Sequence, residues 1–180
     1  MHKAIVKKFK FHWLWQDDKL EQWLQEMASQ GLHLQSVNIF CIYTFVLGSP
    51  EEVSYKLDFV TGIKRDEAYF DLFRDAGWEH VLEITGWQYW RKPITSSRIP
   101  EIFTDAASKI QKYKRALYVL GFAILPLFAL MLNPGIHDVI HRTSSISQIF
   151  FAVFTVIIFL FYAYAGMSLA RRIRDLKNNV

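Results

Sequence analysis

Residues 87–91, Trp-Gln-Tyr-Trp-Arg, place three large rings, an amide and a guanidinium in five consecutive positions. On a strand, Trp87 and Tyr89 share one face while Gln88 and Trp90 share the other. A strand half exposed to water alternates apolar with polar residues, and this one does not. Its second face therefore needs a cover: the membrane, a partner, a ligand or the rest of its own domain. Large rigid rings and a planar cation gain much contact for little lost entropy, so Trp and Arg often carry binding energy. Trp87, Gln88, Tyr89, Trp90 and Arg91 are the candidate partner- or ligand-binding residues, with packing against the rest of the domain as the competing reading.

Other residue patterns carry less chemistry. The chain has no phosphate-cradling Gly-Lys loop, no His-Glu-x-x-His and no Cys-x-x-Cys. Gly166-Met167-Ser168-Leu169-Ala170 approaches a nucleophile elbow but lacks the closing glycine and ends a long apolar run. Gly166 and Ala170 instead suit a small-xxx-small helix contact, through which two copies could associate. His137 and His141 are spaced i, i+4 around Asp138, yet two imidazoles without a cysteine are too few for a metal. Cys41, the single cysteine, makes no intrachain disulfide and sits in an apolar strand-like run, as a small buried hydrophobe would. No catalytic residue, metal or cofactor is expected from these patterns, and a non-enzymatic role follows.

The charge is divided along the chain. Residues 1–98 hold 12 Lys/Arg against 13 Asp/Glu, whereas residues 99–180 hold 9 against 4. The basic balance belongs to the flanks of two apolar runs and not to a nucleic-acid-binding face, so direct DNA or RNA binding is set aside. The first run, 116–132, and the second, 149–170, are both uncharged. Seventeen residues cover about 25 Å as a helix, near the lower limit for a bilayer core. Pro126 lies inside the first run. Lys109, Lys112, Lys114 and Arg115 precede the first run; Arg171, Arg172, Arg174 and Lys177 follow the second; the connection 133–148 has only Arg142. Basic residues stay cytoplasmic, which predicts a two-pass protein of the cell membrane with both termini inside. Lys109, Lys112, Lys114, Arg115, Arg171, Arg172 and Arg174 are then expected on the lipid headgroups. Residues 99–115 read as a juxtamembrane amphipathic helix, and 171–180 as a basic cytosolic tail.

Before these runs the sequence repeats with an offset of 46. Phe9–Trp13 aligns with Tyr55–Phe59, Trp23-Leu24 with Tyr69-Phe70, Met27 with Phe73, Gly31 with Gly77 and Tyr43 with Tyr89. Each unit reads strand, helix, strand, strand. Helices are predicted at 17–30 and 66–76 from apolar residues at helical spacing, each closed by a glycine able to adopt a left-handed conformation. Hairpins follow at 33–47 and 78–91. The fold class is an α+β domain over 1–98, duplicated β-α-β-β units with an antiparallel sheet and two helices, followed by an α-helical transmembrane hairpin.

Glu21–Gly31 (EQWLQEMASQG), VSYKLDF, FRDAGWEHV and GWQYWRKP together resemble the bacterial membrane proteins grouped as domain of unknown function 2812. The resemblance covers Phe11 to Pro93; His33 stands where the family pattern would have an aromatic. It implies membrane attachment, and an association with small winged-helix regulators of the PadR type. It assigns no catalytic residue.

The functional expectation is a non-enzymatic membrane sensor or regulatory protein. Its cytosolic domain would bind a protein partner or a ligand while the hairpin contacts lipid. The alternative is an accessory subunit of a membrane transporter, or an immunity-type membrane protein, in which the helical hairpin is the working part.

Overall fold

The computed structural model describes residues 4–60, 67–94, 106–133, 135, 138, 140 and 142–178. The element order is β1 (Ile5–Phe9), α1 (Asp17–Ser29), β2 (Leu32–Val37), β3 (Ile42–Leu47), β4 (Val53–Phe59), α2 (Glu67–Asp75), β5 (Glu79–Ile84), β6 (Trp87–Pro93), α3 (Ala106–Met131) and α4 (Ser145–Asn178). The chain forms two units, Met1–Lys112 and Tyr113–Val180.

The first unit is the expected α+β domain, and its strands divide into two sheets. Their orders are β1-β3-β2 and β4-β6-β5, all pairs antiparallel. Gly31 and Gly77 follow α1 and α2 with φ of +78° and +79°, where a side chain on Cβ would crowd the backbone. Both hairpins carry a register shift at matching places, Leu34/Ser36 and His80/Leu82, preserving the 46-residue offset. The offset then breaks. Leu34 pairs with Phe45, and His80 pairs with Trp90, so Trp90 stands 45 residues after its counterpart. Tyr43 and Tyr89 are therefore not equivalent, because a one-residue slip moves a strand's side chains to the opposite face.

Helix α1 buries Leu20, Leu24, Met27 and Ala28 and packs on β2 and β4. Trp23 meets Tyr43 and Phe45 edge-on at 5.1 and 5.6 Å. In the second sheet, Phe73 of α2 stacks on Trp90 at 4.4 Å, with Trp78 completing the cluster. The outer edge of β4 is closed by side chains. Glu21 accepts from the Leu57 N–H at 2.9 Å and from Lys56 at 2.9 Å. Lys112 donates to the Leu57 carbonyl at 3.0 Å and to the Asp17 carboxylate. Both backbone groups of Leu57 are thus satisfied away from β6, as a buried edge requires.

In the second unit, α3 and α4 are each long and apolar enough to cross a membrane. Phe122 and Phe150 are 71% and 72% exposed, and large apolar side chains remain uncovered along both helices. A crevice of about 400 Å³ separates α3 from α4, with Gly121 and Gly166 among its walls.

Candidate functional site

Two hairpin tips of the first unit build a cleft. At the β2–β3 tip, the Asn38 side-chain oxygen accepts from the Phe40 and Ile42 N–H groups at 3.0 and 3.1 Å. This local bonding holds a tight turn and carries Cys41 into a left-handed conformation, φ +59°. At the β5–β6 tip, Ile84 pairs with Trp87 across a two-residue loop. Thr85 and Gly86 both have positive φ, +48° and +86°, the signature of the hairpin turn whose twist suits the strands. Among the described residues Cys41 and Thr85 are the non-glycine positions with positive φ, and both line the same cleft.

The cleft holds about 160 Å³, room for a single ring, by comparison with a benzene-binding protein cavity of about 150 Å³. Its floor is aromatic, and among the described residues no Asp, Glu, Lys or Arg lines it. The Tyr43 hydroxyl lies 3.3 Å from His12 Nδ1 and shares a hydrogen bond with Tyr89. Burial holds the His12 imidazole below its ordinary pKa, only partly opposed by the Lys10 backbone and by Asp17. Burial raises both phenols, Tyr89 to about 12. At neutral pH the site therefore offers two neutral phenols and a neutral imidazole. Such groups donate and accept hydrogen bonds without presenting a charge, which suits orienting a small uncharged ring.

The predicted strand, β6, is packed within its own domain. Trp87, Gln88, Tyr89 and Trp90 are buried, Gln88 and Trp90 fully so. One face of β6 is covered by α2; on the other, Tyr89 meets Tyr43 of the first sheet. Domain packing supplies the cover that the two-sided strand required. Trp87 and Tyr89 nevertheless line the cleft. Arg91 is half-buried in a two-pronged ion pair with Glu79, at 2.7 and 3.0 Å, and borders a different hollow beside His33 and Glu51.

The basic residues also separate. Lys112 is buried on Asp17, which removes it from the expected headgroup contacts. Lys114, Arg171 and Arg174 are exposed, while Lys109, Arg115 and Arg172 are half-buried. Arg172 reaches the Tyr113 hydroxyl at 3.4 Å. Gly166 faces the crevice between α3 and α4, and Ala170 is exposed. His137 and His141 lie outside the described residues.

His12, Asn38 and Thr85 were missed by sequence reasoning. The available signal was Ile39-Phe40, two bulky apolar residues at a tight turn where Gly, Asn or Asp is usual.

No curated protein and no solved structure matches the chain. The family described as Protein of unknown function (DUF2812) matches residues 16–125. That stretch takes in α1, both hairpins and most of α3, more than half of the chain. The chain belongs to this family.

Proposed function

We propose that the chain is a membrane-anchored binding protein of regulatory type, whose cytosolic domain takes a small uncharged aromatic ligand in the cleft between its hairpin tips. The observation that carries this reading is the cleft itself: a ring-sized hollow, uncharged among its described walls, with hydrogen-bonding phenols inside it and two left-handed non-glycine residues on its walls. Strained turns of this kind persist where the surrounding structure holds them and often accompany binding sites. Exposed apolar surface along α3 and α4 supports insertion in a bilayer, and the Lys/Arg asymmetry supports cytoplasmic termini. A pathway shared with a PadR-type regulator would fit that role.

The test uses 4-fluorophenol as probe and the detergent-solubilised full chain. Its fluorine resonance should broaden with the wild type and sharpen again with Tyr43→Phe or Tyr89→Phe. No broadening with the wild type, or broadening indifferent to both substitutions, removes the cleft as the binding site. Topology is read separately in a Cys41→Ser background. A cysteine at Ser145 should label in intact cells and one at Ser29 should not; the reverse pattern overturns the orientation.

The crevice beside Gly121 and Gly166 favours a second reading, an accessory or immunity-type membrane subunit that seats a partner helix. A Cβ on either glycine would meet nothing within 4 Å. Gly121→Leu with Gly166→Leu should abolish function on that reading and spare a cytosolic binder.

A further inference from the structure

A second hollow lies at the open end of the first hairpin and shares no wall residue with the cleft. It holds about 480 Å³, within the roughly 300–1,000 Å³ of small-molecule sites. Its walls carry charge of both signs, Glu51 and Arg91, beside the apolar Val46 and Leu47. The loop that bears Glu51 is tied to the end of α1. The Gly48 N–H donates to the Gly31 carbonyl at 2.8 Å, and the Glu51 N–H to the Ala28 carbonyl at 3.0 Å. His33 Nε2 donates to the Ser49 carbonyl at 2.8 Å. A Cβ at Gly48 would stand 2.8 Å from the His33 ring, so glycine lets the loop close on it.

A carbonyl only accepts, so a neutral His33 carries its proton on Nε2 and presents Nδ1 as an acceptor. Facing it is the Glu51 carboxylate, 3.9 Å away and also an acceptor. Two acceptors at that spacing, one of them charged, suit a cationic N–H donor between them. At the other pole, half-buried Arg91 bonds Glu79 through Nε and Nη2, at 2.7 and 3.0 Å. Its Nη1 keeps its N–H groups. Beside this guanidinium the Tyr55 hydroxyl is buried and makes no hydrogen bond of ordinary length among the described residues, a rare state for a buried polar group. Polar capacity at this pole therefore exceeds what the domain itself uses.

Glu79 already neutralises the guanidinium, and Glu51 is anionic. A dianion such as phosphate meets like charge here, whereas a single carboxylate that brings its own cation suits both poles. We propose that the hollow binds a free α-amino acid with an aliphatic side chain. Its carboxylate sits on Arg91 Nη1, its ammonium between Glu51 and His33 Nδ1, and its side chain against Val46 and Leu47. The competing arrangement is a protonated His33 paired directly with Glu51, which closes the ammonium pole.

Equilibrium dialysis of the detergent-solubilised full chain uses tritiated L-leucine as probe. The chain should retain it. 4-Methylpentanoate, which lacks the ammonium, and 3-methylbutylamine, which lacks the carboxylate, should each compete at least about tenfold less well than unlabelled L-leucine, the factor that a hydrogen bond to a charged group supplies. Inorganic phosphate should not compete. Glu51→Gln, at an exposed position, should weaken retention by about tenfold or more, and so should Arg91→Gln. No retention overturns the proposal. So does competition by phosphate, or by either one-pole analogue as strongly as by L-leucine. An affinity indifferent to Glu51→Gln overturns it too, and marks His33 as paired directly with Glu51. Hydrogen exchange of the unmodified chain guards against misfolded variants. L-Leucine should slow residues 33–35 and 46–51 and leave 38–43, at the cleft, unchanged. Slowing confined to the cleft, or none, overturns the proposal as well. Failure here leaves the proposed binding of a ring in the cleft untouched, since the two sites are built from different residues.

Discussion

The two strand–helix–strand–strand units share element order, helix-ending glycines and the position of a bulge, yet they treat their sheets differently. In the first, β3 turns Tyr43 and Phe45 inward and leaves Ile42, Thr44 and Val46 half-exposed on the other face. In the second, β6 is buried on both faces. Edges differ likewise. The β4 edge is closed by Glu21 and Lys112, whereas β1 carries exposed Ile5, Lys7 and Phe9. The hairpins explain part of this. The second is one residue tighter, which turns Trp90 into the place of Phe45 and sends Trp87 and Tyr89 to the other side. A duplicated unit has become core in one copy and surface in the other through a one-residue change in pairing.

The sharpest way to break this contrast is to remove one ring from each sheet. Trp90→Ala should cost about 3–5 kcal/mol, the range for emptying a large buried aromatic site. Phe9→Ala should stay within about 0.5 kcal/mol, as exposed positions do. Denaturation of the first unit within the solubilised chain, followed by tryptophan fluorescence, measures both. Equal costs would mean that the outer face of the first sheet is core after all.

The edges come next. Lys112→Met leaves Asp17 charged and buried without its cation, for a loss of about 3–5 kcal/mol. Adding Asp17→Leu should recover much of it, since an ion pair replaced by apolar residues is often neutral. If the single variant is silent, the β4 edge is not closed by this pair.

The glycines separate the units more finely. A Cβ at Gly77 would meet only the flexible Lys92 side chain, at 3.4 Å. Gly77→Ala should therefore cost the left-handed penalty alone, about 1–2 kcal/mol. A Cβ at Gly31 would stand 2.5 Å from the Gly48 carbonyl oxygen. Gly31→Ala must shift backbone as well, and should exceed Gly77→Ala in the same denaturation assay. Equal costs would show that the Gly48 turn yields freely.

These particulars mark where the sequence was readable. Apolar spacing at Leu20, Leu24 and Met27, and Gly31 and Gly77 after them, made both helices and their ends legible, because helical period and left-handed glycine are local properties. The two apolar runs were legible for the same reason. The division into two sheets was not, since it turns on the register of β3 and β6. Lys112 looked like Lys109, Lys114 and Arg115; only a partner 95 residues earlier distinguishes it. The cleft was illegible because His12, Asn38 and Thr85 meet only after both hairpins have folded.

The smallest expected effect concerns Glu21, on the closed edge. Burial raises its carboxyl above the ordinary 4.5, with Lys56 and Lys112 pulling the other way. A raised value means that the folded chain keeps a proton which the unfolded chain has released. The resulting stability is full below pH 4.5 and is lost as the pH rises through the folded value. Glu21→Gln keeps the shape and cannot ionise. Its stability relative to the wild type should therefore improve as the pH climbs from about 4.5 toward neutrality. Phe9→Ser, on the open edge, removes no titrating group, and its difference from the wild type should stay flat over the same range. Denaturant midpoints for the three chains, taken across that range at fixed ionic strength, decide the matter. If the wild type gains on Glu21→Gln with rising pH, the 2.9 Å pairing with Lys56 outweighs burial, and the carboxyl is held as a charge. The β4 edge would then be closed by an ion pair at Glu21 as it is at Asp17, and the contrast with the open β1 edge would be electrostatic and not one of burial.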